Sequence, residues 1–143
     1  MNFSIRSLLI GLTLCGIAAA VIASELHHRT RIRNETCQMA VAWLVCDYLD
    51  ANQRQWPQDW DALQSFYDAR FPNETSYSFA EFKDRVLVDF TIDGTELLAI
   101  CVNPKRAAKF DPIRSIYGDN PREENPNLAI LNHVGRMICY VNK

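Results

Sequence analysis

The sequence predicts an α+β protein: an N-terminal transmembrane helix running into a long amphipathic helix, a small antiparallel sheet and a C-terminal helix. Three observations carry this reading. Residues Ser7 to Ser24 form an uncharged run of eighteen, SLLIGLTLCGIAAAVIAS, between Arg6 and Glu25. From Cys37 to Leu49, apolar residues recur at spacings of three and four, the period of a helix with one buried face. Residues 85 to 92 switch to a period of two, the period of a half-buried strand. Strands lying between helices place the helices against one face of a small sheet.

The apolar run comes first. A bilayer core about 30 Å thick takes roughly 20 apolar helical residues to cross. Lipid offers backbone groups no partner, so the run must be helical. Leu8, Leu9, Ile10, Leu12, Leu14, Ile17, Val21 and Ile22 supply the favourable transfer. Gly11, Gly16 and Ala18-Ala19-Ala20 are small residues that bilayer helices tolerate and that also allow close helix approach. The chain divides into a flank (1–6), a signal-anchor helix (7–24) and a single α+β domain (25–143). Val21-Ile22-Ala23 before Ser24 has the spacing of a signal-peptidase site, so cleavage after Ala23 competes with retention as an anchor. The apolar run is long for a cleaved signal, and the anchor is the expectation. Arg29, Arg31 and Arg33 argue for a cytoplasmic globular part by the positive-inside rule. The short, signal-like start argues for export, and the extracytoplasmic side is expected.

Residues 25–143 make one ordinary domain, long enough for a real core. The whole chain has fifteen basic and 17 acidic residues, net −2, a balance that implies neither a nucleic-acid surface nor an acidic tail. An apolar share of 48% excludes wholesale disorder. The five cysteines, Cys15, Cys37, Cys46, Cys101 and Cys139, contain no C-x-x-C pair. Cys37 and Cys46 fall on opposite faces of one helix and cannot bridge. Cys101 and Cys139 are candidates for a disulfide in an exported domain; otherwise all five are small buried hydrophobes.

No Pro or Gly interrupts residues 24 to 33, so the membrane helix can run on, with at most a bend near His27-His28. Asn34 or Thr36 is a candidate cap for an amphipathic helix carrying Cys37, Ala40, Val41, Leu44, Val45, Tyr48 and Leu49. Asn52 and Pro57 end it. Asp59 reads as the N-cap of a short helix to about Ala69 that presents Trp60, Leu63, Phe66 and Tyr67, with Asp61 suiting the helix dipole. Phe71-Pro72-Asn73 breaks that helix. Ser78 and Glu81 have capping-box spacing, giving a helical turn at 79–84. Val86, Val88, Phe90 and Ile92 then share one face of a strand. Asp93-Gly94 predicts a hairpin turn, with Thr95 to Val102 as the return strand. A basic loop with Lys105, Arg106 and Lys109 follows, and Ile113 to Tyr117 is a candidate third strand. Asn127 is expected to cap a closing helix on Leu128, Leu131, Val134, Ile138 and Val141, which Gly135 weakens.

Phe3-Ser4-Ile5-Arg6-Ser7-Leu8-Leu9-Ile10, the continuing helix and the Trp56-Pro57 element with Leu63 resemble the type IV pilin and type II secretion pseudopilin group. The resemblance covers about the first half of the chain. It implies an apolar helix continuing into an amphipathic one, then a small antiparallel sheet; filament assembly does not follow from it. Asn2 stands where that group has its processing glycine. Ser7 stands where it has an acidic residue, and Arg6 where it has an apolar one. Trp56-Pro57-x-x-Trp60-x-x-Leu63 is also similar to small bacterial membrane-anchored proteins of unknown function.

No constellation of residues points to catalysis. His27 and His28 project about 100° apart on a helix and do not readily share an ion. His133 has no ligand partner at metal spacing. A thiol at Cys46, Cys101 or Cys139 would need His133 brought to it by the fold. Asp59 and Asp61 are explained by capping. Trp43, Trp56, Trp60, Phe66, Tyr67 and Phe71 read as core rather than as a ligand platform. Asn34-Glu35-Thr36 and Asn73-Glu74-Thr75 fit the glycosylation sequon, meaningful only in a secretory pathway. The expectation is therefore a single-pass, non-enzymatic membrane protein with no catalytic, cofactor-binding or metal-binding residues and no cofactor. Its partners are the lipid bilayer and other membrane or envelope proteins, without nucleic acid. The alternatives are a pseudopilin-like filament subunit and a secreted thiol-dependent hydrolase.

Overall fold

A computed structural model describes residues 5–72, 76–118 and 125–141, without the side chains of 5–8, 95 and 137–141. The chain is mostly helical around one two-stranded antiparallel sheet, in keeping with the α+β expectation. It divides into two compact units, Met1–Arg33 and Asn34–Lys143. Helix α1 (Ile5–Ala51) contributes residues to both.

From residue 9 to residue 30, α1 is exposed all round. Leu9, Ile10, Leu12, Leu14, Ile17, Val21, Ile22 and Leu26 are each 58–63% exposed. This is the one helix among the described residues long and apolar enough to cross a membrane. The hydroxyls of Thr13 and Thr30 donate back to the carbonyls of Leu9 and Leu26, so neither needs an outside partner. Gly11 and Gly16 border open space.

In the second unit, the same helix supplies much of the buried core. Cys37, Val41, Leu44, Val45 and Leu49 are buried as their spacing predicts. Ala42 and Cys46 are buried as well, so this stretch is covered on more than one face. Asn34 does not cap a helix start, because α1 is already helical there. It is buried, and its side-chain oxygen accepts from Arg85 Nη1 at 2.7 Å. The Asn73 sequon lies outside the described residues.

Helix α2 (Asp61–Arg70) buries Leu63. The Asp59 carboxylate accepts from Ala62 N at 2.9 Å, the capping role its position predicts. Helix α3 (Phe79–Arg85) starts where Ser78 Oγ accepts from Glu81 N at 3.1 Å. The Glu81 carboxylate accepts from Arg85 Nε at 2.7 Å, one turn further along the helix. The aromatic residues of this region pack on one another. Tyr67 stands against Phe71, Phe79 and Phe82, with ring centroids 5.2–5.6 Å apart, and its hydroxyl donates to the Tyr77 carbonyl. Trp60 sits between Phe79 and Phe90.

The sheet differs from the hairpin expectation. Strand β1 (Val86–Val88) stops early because Asp89 turns the chain: its carboxylate accepts from both the backbone N–H and the hydroxyl of Thr91. Asp93-Gly94 then opens helix α4 (Gly94–Cys101) instead of a two-residue turn. The Asp93 carbonyl accepts from Glu96 N and Leu97 N, and Glu96-Leu97-Leu98-Ala99 are strong helix formers. Leu97 is fully buried in the result. The basic loop is a short helix, α5 (Pro104–Ala107), capped by Asn103 with proline in its first turn. Strand β2 (Ile113–Ser115) is the anticipated third strand, and it is β1's partner: Val86 faces Ser115, Leu87 Arg114 and Val88 Ile113.

Helix α6 (Pro126–Val141) closes the unit. Its cap is Asn125, whose side chain accepts from Asn127 N and Leu128 N. Asn127, expected to be the cap, is buried and faces β2. The buried stripe is Asn127, Ile130, Leu131 and Val134, and Leu128 is exposed. The side chains of Ile138 and Val141 lie outside those described.

Candidate functional site

The first cleft forms where α1 ends. Asn52 donates from both its backbone and its side chain to the Tyr48 carbonyl, and Arg54 N donates to Leu49 O. Gln53 and Arg54 reverse the chain at φ 54° and 67°. Both angles lie in the left-handed region, which costs a side-chain-bearing residue roughly 1 kcal/mol or more. Trp56 is buried beyond this turn, and its indole N–H donates to the Asp89 carbonyl at 2.8 Å. Its ring meets Phe110 edge-on.

The turn at Phe90–Gly94 forms the other wall. A Cβ on Gly94 would stand 2.8 Å from the Arg54 carbonyl and 3.3 Å from Gln55 Cα. Glycine therefore lets the two backbones touch. The two turn signals of the sequence, Trp56-Pro57 and Asp93-Gly94, meet here. Between them lies an open cleft of about 720 Å³. Tyr48, Phe90 and Leu98 give it apolar surface; Gln53, Gln55, Gln58 and Asp93 give it a polar rim. We expect Gly94→Ala to cost about 1–3 kcal/mol, because the obstacle is backbone that cannot swing away. Urea titration of the two proteins measures this, and equal midpoints would contradict the close contact.

The second cleft, of about 580 Å³, lies beside Trp43, Cys46, Arg70, His133 and Arg136. Arg70 Nη1 donates to Asp47 Oδ2 at 2.6 Å and its guanidinium covers the Trp43 ring at 5.2 Å. His133 Nε2 meets Asp50 Oδ1 at 2.9 Å. The fold thus brings His133 and Cys46 to one cleft, an arrangement the sequence left open.

The thiol there is not activated. Burial, then the carboxylates of Asp47 and Asp50, push Cys46 from its ordinary 9.0 up to about 12. A nucleophilic cysteine needs the opposite shift. Cys101 is also raised by burial, and its thiol donates to the Leu131 carbonyl at 3.8 Å. Cys101 is free; the Cys139 side chain, its candidate disulfide partner, lies outside those described. Among the described residues no group of three His, Cys, Asp or Glu could hold a metal ion.

The Cys46 shift has a pH signature. Below pH 9.0 both folded and unfolded thiols keep the proton, and its contribution to stability is complete. From there to about pH 12 the unfolded chain releases the proton while the folded chain holds it, so stability falls as pH rises. Cys46→Ala removes that part of the alkaline loss. Melting curves of the variant and the parent chain should therefore converge across this window; parallel curves would show that Cys46 is not the group responsible.

Sequence reasoning did not single out Gln53, Arg54, Gln55 or Gln58. Nothing local marks a non-glycine residue for the left-handed region. Of Trp43, Trp56 and Trp60, all expected in the core, Trp56 is buried there, Trp60 packs half-buried against it, and Trp43 is 43% exposed beside Arg70. His27 and His28 are exposed on α1, as Asp59 and Asp61 are at the start of α2. Comparison with known proteins finds no matching family model, no matching curated protein and no matching solved structure.

Proposed function

We propose that the chain is a single-pass, membrane-tethered protein whose folded unit is a non-catalytic binding or envelope-assembly module on the extracytoplasmic side. One observation carries the tether: eight large apolar side chains between Leu9 and Leu26, all about three-fifths exposed. Fully covering a side chain of this kind gains roughly 1.5–3 kcal/mol. A bilayer supplies that cover along the whole run. The non-catalytic part rests on the thiols of Cys46 and Cys101, whose pKa values burial raises.

Alkaline extraction of membranes tests the tether. The full-length chain should remain with the pelleted bilayer, and release into the supernatant would sink the proposal. Protease added to intact cells tests the side: digestion of the folded unit is expected, and protection would place it in the cytoplasm. Alkylation of the folded chain at neutral pH tests the alternative of a thiol hydrolase; a fast-reacting cysteine would revive it.

A pseudopilin-like filament subunit is the second reading. It is favoured by one helix of 47 residues whose start is apolar and exposed and whose end is a domain core. In-cell crosslinking through α1 should then give ladders, and monomers alone would count against it.

A further inference from the structure

We infer that the cleft between the α1 exit and the Phe90–Gly94 turn is a binding site for a neutral oligosaccharide. Its volume, about 720 Å³, lies within the range of small-ligand sites. Its chemistry has two sides. Tyr48, Phe90, Ile92 and Leu98 present apolar and aromatic surface, which suits the C–H face of a sugar ring. The rim carries the carboxamides of Gln53, Gln55 and Gln58. A carboxamide both donates and accepts, as a sugar hydroxyl does. Among the described residues, no side chain or backbone group claims any of these three carboxamides. Arg54 and Asp93 on the same rim have opposite charges that cancel, so a phosphorylated or strongly acidic ligand gains nothing here.

The backbone supports a use for these side chains. Glycine would occupy positions 53 and 54 without steric cost. Glutamine and arginine stand there instead, at φ 54° and 67°, and both line the cleft. Held strain of this kind gathers at ligand clamps. The close approach of Gly94 to the Arg54 carbonyl sets one backbone wall against the other before a ligand arrives. A peptide is the less suitable occupant. No strand edge lines the cleft, since β1 ends at Val88, and an extended peptide would find no ladder to join. The site belongs to Asn34–Lys143 alone, so it is read in the same way whether or not the chain is anchored.

The test is an NMR titration of the full chain in detergent. The probes are neutral hexasaccharides of glucose, galactose, mannose and N-acetylglucosamine, each at about 1 mM, with an uncharged hexapeptide as the rival. At least one saccharide should shift the Trp56 indole N–H and the Gly94 amide. Gln55→Ala, which leaves the backbone turn alone, should weaken that saccharide about tenfold, as loss of one well-made hydrogen bond does. Gln53→Gly should raise the melting temperature and weaken the saccharide together, a split that a purely structural role does not produce. No shift with any of the four saccharides, a response to the peptide alone, or unchanged affinity in both variants each overturns the assignment.

Discussion

Phe82→Ala should cost about 3–5 kcal/mol and lower the melting temperature by roughly 15 °C or more. Among the described residues Phe82 is the largest fully buried side chain, 1% exposed. It projects from α3 against Tyr67, at 5.6 Å and 88°, and against Phe71, at 6.2 Å and 79°. Edge-to-face pairs of this kind add about 0.5–1.5 kcal/mol each beyond the area they bury. Truncation loses those pairs, the transfer of the ring and the contacts of every atom that lined it. The neighbours cannot close the gap freely. Tyr67 is tied through its hydroxyl to the Tyr77 carbonyl, and α3 is held at its start by Ser78. Phe82→Leu keeps most of the volume and should lose much less. Paired urea titrations measure both; a Phe82→Ala loss below about 1 kcal/mol would mean that the aromatic cluster does not pack as described.

Asn127→Ala should cost about 2–4 kcal/mol. Its carboxamide takes the place of a third strand. Ile113 is paired to β1 on one side; on its other side, Ile113 N donates to Asn127 Oδ1 at 2.9 Å and Asn127 Nδ2 donates to Ile113 O at 3.0 Å. The same Nδ2 donates to Asp111 Oδ1 at 2.8 Å. Alanine leaves the buried N–H and carbonyl of Ile113 with neither a protein partner nor water. It also frees α6 from the sheet. Asn127→Asp is the sharper variant. A carboxylate still accepts from Ile113 N but cannot donate to Ile113 O, and it sets a negative charge beside Asp111. Its loss should therefore deepen as pH rises and the new carboxyl ionises, and ease on acidification. Denaturation at two pH values reads this directly, and a pH-independent loss would contradict the bonding assigned to Nδ2.

These two residues show what could be read from the chain and what could not. The period of Cys37, Val41, Leu44 and Leu49 announced the core face of α1, because helical spacing is a local property. Ser78 with Glu81 announced the start of α3 for the same reason. Asp93-Gly94 misled. The dipeptide suits a hairpin, but Asp89 had already turned the strand through Thr91, and Trp56 holds the Asp89 carbonyl from 33 residues away. Asn127 misled in the same way: an asparagine near a helix start is a fair cap, and only the approach of β2 gives it a better use. The first cleft was hidden because its rim is assembled from two turns, joined by a glycine whose role is to have no side chain against a carbonyl. The second cleft brought His133 to Asp50 across 83 positions, a pairing no spacing rule reaches.

The most direct measurement is the intact mass of the mature protein recovered from cells, read together with the fraction that holds it. A retained bilayer rod requires a polypeptide that still carries Ser7 to Ser24 and stays with lipid until detergent is added. A water-soluble species starting at Ser24 would mean the apolar segment served only to address the chain, and the tethered-module account would fall.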